Sequence, residues 1–218
     1  MSNHFSSLGM GSYGASWSAG GYSGCGNVGE LVGSLRGHPA VVCGNARGVF
    51  EELEVVRKRY GLPLAVFAVN DVGMYLPRLD HWVSLHSEQF EEWKPVRWMH
   101  HKGDEWAKYH GLKLEHKYVD YAWELLTPIM ALSGYFAMQV AWIMGCSPII
   151  LAGCPGDGTR RFFEAADRTS SEFQYGSGDT GSDKGIRQQL INEMNRVPEF
   201  KAVVRSMSGW TREFFGGV

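Results

Sequence analysis

The stretch that decides the fold is PAVVCGNARGVFEEL, which spans residues 39–53. Within it, Ala40–Cys43 is a short apolar run typical of a buried strand, and the glycine-containing segment 44–48 predicts a tight loop. From 49 to 60, apolar residues recur at helical spacing while acidic residues come early and basic residues late, which favours an amphipathic helix. This order predicts either a phosphate-binding turn, because backbone N–H groups point outward at a helix start, or an ordinary connection without a ligand.

The composition places the chain in a broad class. Its 218 residues suffice for one domain with a sizeable core, and 44% hydrophobic with 20% charged residues is ordinary for a soluble globular protein. The formal net charge of −2 gives no general attraction to nucleic acid. No apolar run has the length of a membrane span and no secretory signal pattern is present, so we expect no membrane contact. The four cysteines form no CxxC pair, which favours a reduced, cytoplasmic location.

Residues 1–37 differ from the rest of the chain because glycine and serine dominate them, with Tyr13, Trp17 and Tyr22 scattered between. Such a segment has little periodicity and loses much backbone entropy when it is ordered. We therefore predict a flexible arm over 1–37 and one domain over 38–218. The aromatic side chains leave open a second role, in which the arm docks on a neighbouring subunit and makes the protein a homo-oligomer.

Beyond the arm, short apolar runs alternate with helical patterns. This alternation predicts an α/β protein of Rossmann-like type, with three layers and a mostly parallel sheet. One predicted helix carries apolar residues on nearly all sides and must therefore be buried. The predicted strands after the first are 64–69, 82–85, 148–152 and 202–205, and the later helices are 134–145 and 183–195.

The middle of the chain fits this alternation poorly. Residues 94–128 are rich in Trp, His and Lys, and we predict an insertion or lid with some helix. The histidines of this region match no zinc-binding spacing and have no cysteine near them, so no metal site is predicted there.

Polar residues follow several predicted strands. Asn45, Asn70 and His86 stand at three strand ends, and a loop containing Asp157 follows a fourth. Each alone is typical of a turn or a cap, because Asn and Asp bond readily to local backbone. Taken together they indicate a ligand site, because ligands of open α/β sheets bind outside the carboxyl ends of the strands. Arg160 in the same glycine-containing loop is a cation that could close on a diphosphate.

Five motifs follow one another between residues 40 and 206: VVCGNARG (41–48), FAVN (67–70), WVSLH (82–86), SGYFAMQVAWIMG (133–145) and IILAGC (149–154). In this order they resemble the Rossmann-like superfamily of bacterial sialyltransferases and of proteins like the archaeal 6-hydroxymethylpterin diphosphokinase. The resemblance implies a nucleotide at the strand ends. The residues that it implies for holding the nucleotide are Gly44, Asn45, Arg47, Asn70, Ser133 and Gly134.

The function predicted from these features is that of a transferase, most specifically glycosyltransferase-like, which binds a nucleotide or a nucleotide-sugar donor. The sialyltransferase-like enzymes usually carry a general-base histidine in the C-terminal third, whereas this chain has none after His116. His86 and Asp157 are therefore the candidate catalytic bases towards an acceptor hydroxyl, whose identity stays open. One alternative is a pterin-type diphosphokinase with Mg²⁺ on carboxylates such as Asp71 or Asp157. The other is a non-catalytic relative that serves as an assembly protein.

Overall fold

The computed structural model describes residues 26–27, 31–61, 63–103, 105–110, 120–122, 132–157, 162 and 183–218. In this part of the chain, eight strands form one sheet in which every neighbouring pair is parallel. The strands are β1 (Gly26–Asn27), β2 (Ala40–Cys43), β3 (Ala65–Val69), β4 (His81–Ser84), β5 (Ala107–His110), β6 (Tyr121–Ala122), β7 (Ile149–Ala152) and β8 (Val204–Ser206).

Helices cover both faces of the sheet, which confirms the predicted three-layer α/β fold. The α-helices of the described ranges are α1 (Val49–Tyr60), α2 (Phe90–His100), α3 (Ser133–Ile143), α4 (Asp183–Arg196), α5 (Pro198–Val203) and α6 (Gly209–Phe215). One hydrophobic core lies between the sheet and α1 with α2, and the other lies between the sheet and α3 to α6. None of these helices is both long and apolar enough to cross a membrane.

The order of the strands across the sheet is β1-β6-β5-β4-β3-β2-β7-β8. Starting from β2, the chain adds β3 and β4 on one side and later returns to add β7 and β8 on the other. This reversal of direction is the doubly wound, Rossmann-like arrangement, and it creates a topological switch point between β2 and β7. Because all strands are parallel, their carboxyl ends lie on one edge.

The elements that the sequence marked most strongly form as predicted. Helix α1 occupies Val49–Tyr60, with Glu51 and Glu52 in its first turn and basic residues in its last. The arrangement complements the helix dipole, and Gly48 supplies the left-handed backbone (φ 94°) that leads into the helix. Helix α3 is buried nearly all round, as its apolar composition requires.

The segment 94–128 differs from the predicted insertion. Helix α2 occupies the first part of this segment and ends at His100. Strands β5 and β6 then extend the parallel sheet beyond β4. In β5 the Tyr109 side chain is fully buried, whereas Lys108 pairs with Asp120 at 3.0 Å. An alternation of buried and exposed side chains over four residues is too short to be recognised as a strand in a segment rich in lysine and histidine. Residues 111–119 and 123–128, where a lid was predicted, lie outside the described residues.

The two ends of the domain also differ from the prediction in detail. Residues 31–37, assigned to the arm, pack on the end of α3: the N–H groups of Gly33, Leu35 and Gly37 donate to carbonyls of residues 143–145 at 2.7–3.0 Å. They thereby satisfy carbonyl groups that a helix end leaves unpaired. The last strand is Val204–Ser206, since α5 extends through Val203. Residues 1–25 of the arm lie outside the described residues.

Candidate functional site

The carboxyl edge of the sheet brings together the ends of β2, β3, β4 and β7. The residues that follow these strands are Gly44, Asn70, Leu85 and Gly153. A parallel sheet forces them to one side of the molecule, so the predicted convergence of strand ends is confirmed. The contacts described below decide which of these residues surround a pocket and which serve the fold.

Protein backbone fills the switch point itself. The Gly44 N–H donates to the Ala152 carbonyl at 2.8 Å, and the Ala46 N–H donates to the Gly153 carbonyl at 3.0 Å. A Cβ on Gly44 would lie 2.4 Å from the Gly153 oxygen and 2.5 Å from the Cys154 sulfur. Glycine is therefore required at this position because the loops after β2 and β7 lie in direct contact. This contact with protein accounts for Gly44 without a bound phosphate.

Asn45 also serves the fold. Its Nδ2 donates to Asp71 Oδ2 at 3.1 Å, and its Oδ1 accepts the Val72 N–H at 3.0 Å. Both ends of the amide thus tie the loop after β2 to the 3₁₀ turn Asn70–Met74. In addition, Glu52 Oε2 accepts the Gly153 N–H at 2.7 Å, which places a carboxylate near the first turn of α1. Arg47, in the loop between β2 and α1, is exposed.

A pocket of about 320 Å³ lies beside the switch point, on the face covered by α3, α4 and α6. It contains three of the residues predicted for nucleotide binding, Asn70, Ser133 and Gly134. Its volume is at the lower end of the range for small-molecule sites. Among the described residues, the lining is Asn70, Leu132, Ser133, Gly134, Tyr135, Met138, Leu151, Cys154, Gly156, Arg187, Leu190, Trp210 and Thr211.

Asn70 stands on the β3 side of the pocket in a left-handed conformation, with φ 54°. Asn adopts this conformation more readily than most residues. Its carbonyl accepts the Trp82 indole N–H at 2.7 Å, and its Oδ1 accepts the Ser84 hydroxyl at 2.9 Å. The Nδ2 group meets no acceptor in the described part of the chain.

The start of α3 supplies a second set of donors. Ser133 Oγ accepts the Leu85 N–H at 3.2 Å, so the hydroxyl proton is available for another partner. No side chain of the described residues caps α3, and the first N–H groups of a helix have no partner within it. A Cβ on Gly134 would meet no atom of the described residues within 4 Å, so the helix start opens onto space in this part of the structure. This is the geometry at which helices bind anions.

Arg187, in the second turn of α4, is the charged side chain among the lining residues. Its Nε donates to the Gly156 carbonyl at 2.7 Å, and its guanidinium lies 5.3 Å from the centre of the Trp210 ring. These two contacts already hold the guanidinium in one position, so the side chain loses little further entropy when a ligand binds. No carboxylate of the described residues pairs with it, and none of them lines the pocket.

The Cys154 thiol is a poor nucleophile. Burial, and secondarily the Glu52 carboxylate, raise the pKa of this thiol to about 12. The thiolate is the reactive form, so Cys154 stays protonated near neutral pH and acts as a small apolar part of the wall.

The two predicted catalytic residues lie next to the pocket and do not line it. The His86 imidazole is 40% exposed and its Nδ1 lies 3.6 Å from Glu88 Oε1. Asp157 follows the lining residue Gly156, and its Oδ2 would lie 2.5 Å from a Cβ on Gly209. Arg160 falls outside the described residues. No group of three or more His, Cys, Asp or Glu side chains in the described part of the chain is arranged to hold a metal ion.

Sequence reasoning missed Arg187, Trp210 and Thr211. One signal could have found the arginine: α4 follows β7 in the chain, so its first turns must lie at the same edge as the start of α3. Comparisons of the chain with protein-family models, with curated proteins and with solved structures find no match.

Proposed function

We propose that this pocket binds the phosphate of a nucleotide or nucleotide sugar, and that the protein transfers a group, most specifically a glycosyl group, from that donor. One observation carries the proposal: the polar side of the pocket combines an uncapped helix start with an arginine that no described carboxylate neutralises. Helix N–H groups and a guanidinium are the donors that phosphate prefers. The apolar wall opposite them suits the body of a small ligand.

In this proposal, Arg187 and the start of α3 stabilise the charge that develops on the leaving phosphate. Asn70 and the Ser133 hydroxyl orient the same group. His86 or Asp157, from positions beside the pocket, accepts the proton of the acceptor hydroxyl. Arg160 remains a predicted second cation. A diphosphokinase would use the same phosphate site and would add Mg²⁺ on Asp71 or Asp157.

The test is calorimetric titration of the protein with CMP, UDP, GDP and ATP. For the nucleotide that binds, Arg187→Gln is expected to weaken affinity about 10- to 100-fold, because it removes a charge-assisted hydrogen bond worth about 1.5–3 kcal/mol. The matched control is Arg47→Gln, which removes an exposed cation outside the pocket. We expect this control to bind like the wild type.

Two results would contradict the proposal. If Arg47→Gln loses affinity and Arg187→Gln does not, the phosphate binds at the loop before α1. If no nucleotide binds the folded wild type, the transferase hypothesis fails and the assembly-protein alternative becomes the better one.

We further infer a cytoplasmic location, supported by Cys43, Cys146 and Cys154, which are free thiols in the structure. Assembly through the N-terminal arm remains a proposal. Its test is the oligomeric state, by light scattering, of the full chain and of a variant that lacks residues 1–25.

A further inference from the structure

Residues at the end of β4 make hydrogen bonds to two residues that line the pocket, Ser133 and Asn70. The backbone N–H of Leu85 donates to Ser133 Oγ at 3.2 Å, and the next N–H, that of His86, donates to Ser84 Oγ at 2.9 Å. Ser84 is fully buried and does not line the pocket. Its hydroxyl reaches the pocket through Asn70, whose Oδ1 accepts the Ser84 hydroxyl at 2.9 Å.

These hydrogen bonds fix the direction of the Asn70 amide. A hydroxyl carries one proton, and Ser84 Oγ already accepts the His86 N–H. If the amide were turned, Ser84 Oγ would accept a second hydrogen bond and its own buried proton would meet no acceptor among the described residues. The proton therefore points to Asn70, which assigns the oxygen of the amide to Ser84 and the NH₂ group to the pocket. The Trp82 indole clamps the Asn70 carbonyl at 2.7 Å, so the residue is held at its backbone as well.

The consequence, among the described lining residues, is a polar side on which donors predominate, although the Ser133 hydroxyl keeps a second lone pair and Tyr135 brings a phenol oxygen. Asn70 Nδ2, the Ser133 hydroxyl, the start of α3 and Arg187 all donate. The Thr211 hydroxyl is already engaged, since it donates to the Cys154 carbonyl at 2.7 Å and lies 2.8 Å from Ser206 Oγ. The Gly156 carbonyl is engaged by Arg187.

We infer that the pocket selects a ligand end that carries hydrogen-bond acceptors alone, an ionised phosphate, and that Ser84 is the positioning residue that sets this preference. The inference rests on the proposed function and adds to it which ligand ends the pocket rejects. A hydroxyl-rich end would leave most of its own O–H donors without acceptors, and an unpaired buried donor is costly. If Ser84 were absent, the amide could turn and present its oxygen to the anion.

The test is calorimetric titration with phenyl phosphate, which is small enough to probe the pocket without a nucleoside. Asn70→Gly is expected to weaken binding about tenfold or more, while glycine tolerates the φ of 54°. Ser84→Ala, which frees the amide without removing it, is expected to weaken binding about three- to tenfold. Phenyl glucoside, with the same ring and a hydroxyl-rich end, is expected to bind the wild type at least tenfold more weakly than phenyl phosphate.

A double-mutant cycle separates positioning from a general structural role. Because Ser84 acts through Asn70, the variant Ser84→Ala/Asn70→Gly is expected to bind within about twofold of Asn70→Gly alone. Ser84→Thr, which keeps the hydroxyl, is expected to restore most of the affinity. Asn70→Asp, which puts a carboxylate where the NH₂ group stands, is expected to abolish binding.

Additive losses in the cycle, or equal binding of phenyl glucoside and phenyl phosphate, would overturn this inference and leave the phosphate site in place. If Ser84→Ala fails to fold, the affinities of Asn70→Gly and Asn70→Asp for phenyl phosphate test the inference instead. Wild-type affinity in both variants overturns the inference. If the wild type binds phenyl phosphate and no nucleotide, only the nucleotide part of the proposed function fails. If it binds neither, both proposals fall.

Discussion

Gly44→Ala is expected to lower the free energy of unfolding by about 3 kcal/mol or more in the absence of any ligand. The added Cβ would lie 2.4 Å from the Gly153 carbonyl oxygen, which belongs to backbone that is held by its own hydrogen bonds. Relief would require the loops after β2 and β7 to separate at the centre of the sheet. Urea unfolding of both proteins, followed by circular dichroism, measures the difference.

The matched control lies in the same loop. A Cβ on Gly48 would meet no described atom within 4 Å, although its φ of 94° strains any other residue. Gly48→Ala is therefore expected to cost only the backbone strain, about 1–2 kcal/mol. Wild-type stability for Gly44→Ala, or a smaller loss than for Gly48→Ala, would show that the loops do not pack as described.

The second large effect is a loss of stability in acid that depends on His81. Its ring stacks on Phe67 with centroids 4.3 Å apart, and its Nδ1 lies 2.8 Å from the Tyr109 hydroxyl. Burial lowers the pKa of this imidazole to about 4, against which the Asp80 carboxylate acts only in part. Burial also raises the pKa of Tyr109, so the phenol keeps its proton and can donate it to the neutral imidazole.

The direction of the pH effect follows from proton uptake. Between pH 6.5 and 4 the unfolded chain protonates His81 while the folded chain does not, so stability that is present above pH 6.5 is lost as the pH falls. From pH 7 to pH 4 the loss is roughly 3 kcal/mol. His81→Gln cannot titrate, and other groups contribute equally to both proteins. Parallel curves of unfolding free energy against pH for wild type and variant would contradict this assignment.

Local sequence patterns were enough to predict the centre of the fold. The run Ala40–Cys43, the glycine loop and α1 form as expected, because apolar periodicity, the dipole charges and a left-handed glycine all favour the same structure. The pairing of β5 and β6 with the sheet was not predictable in this way. Strand β6 has only two residues, and in β5 Lys108 and His110 hide the alternation around the buried Tyr109.

Only those residues of the candidate site whose positions follow from the topology of the sheet were predictable from the sequence. Asn70, Ser133 and Gly134 meet because a strand end and a helix start must share one edge. Asn45 has the same residue type and the same kind of position as Asn70, yet its amide is used by Asp71 and Val72. Which of two strand-end asparagines faces a pocket depends on side-chain contacts across the sheet, and the pattern along the chain does not contain them.

The most direct test of the proposed phosphate site is a nuclear magnetic resonance titration with the tightest binder among CMP, UDP, GDP and ATP. We expect the largest shifts on the Gly134 backbone amide, the Asn70 side-chain NH₂ group and the Arg187 guanidinium. These groups line one pocket, whereas the amides of Arg47 and Gly48 at the start of α1 lie outside it and should move little. Shifts concentrated at Arg47 and Gly48, with Gly134 and Asn70 unchanged, would contradict the proposed phosphate site.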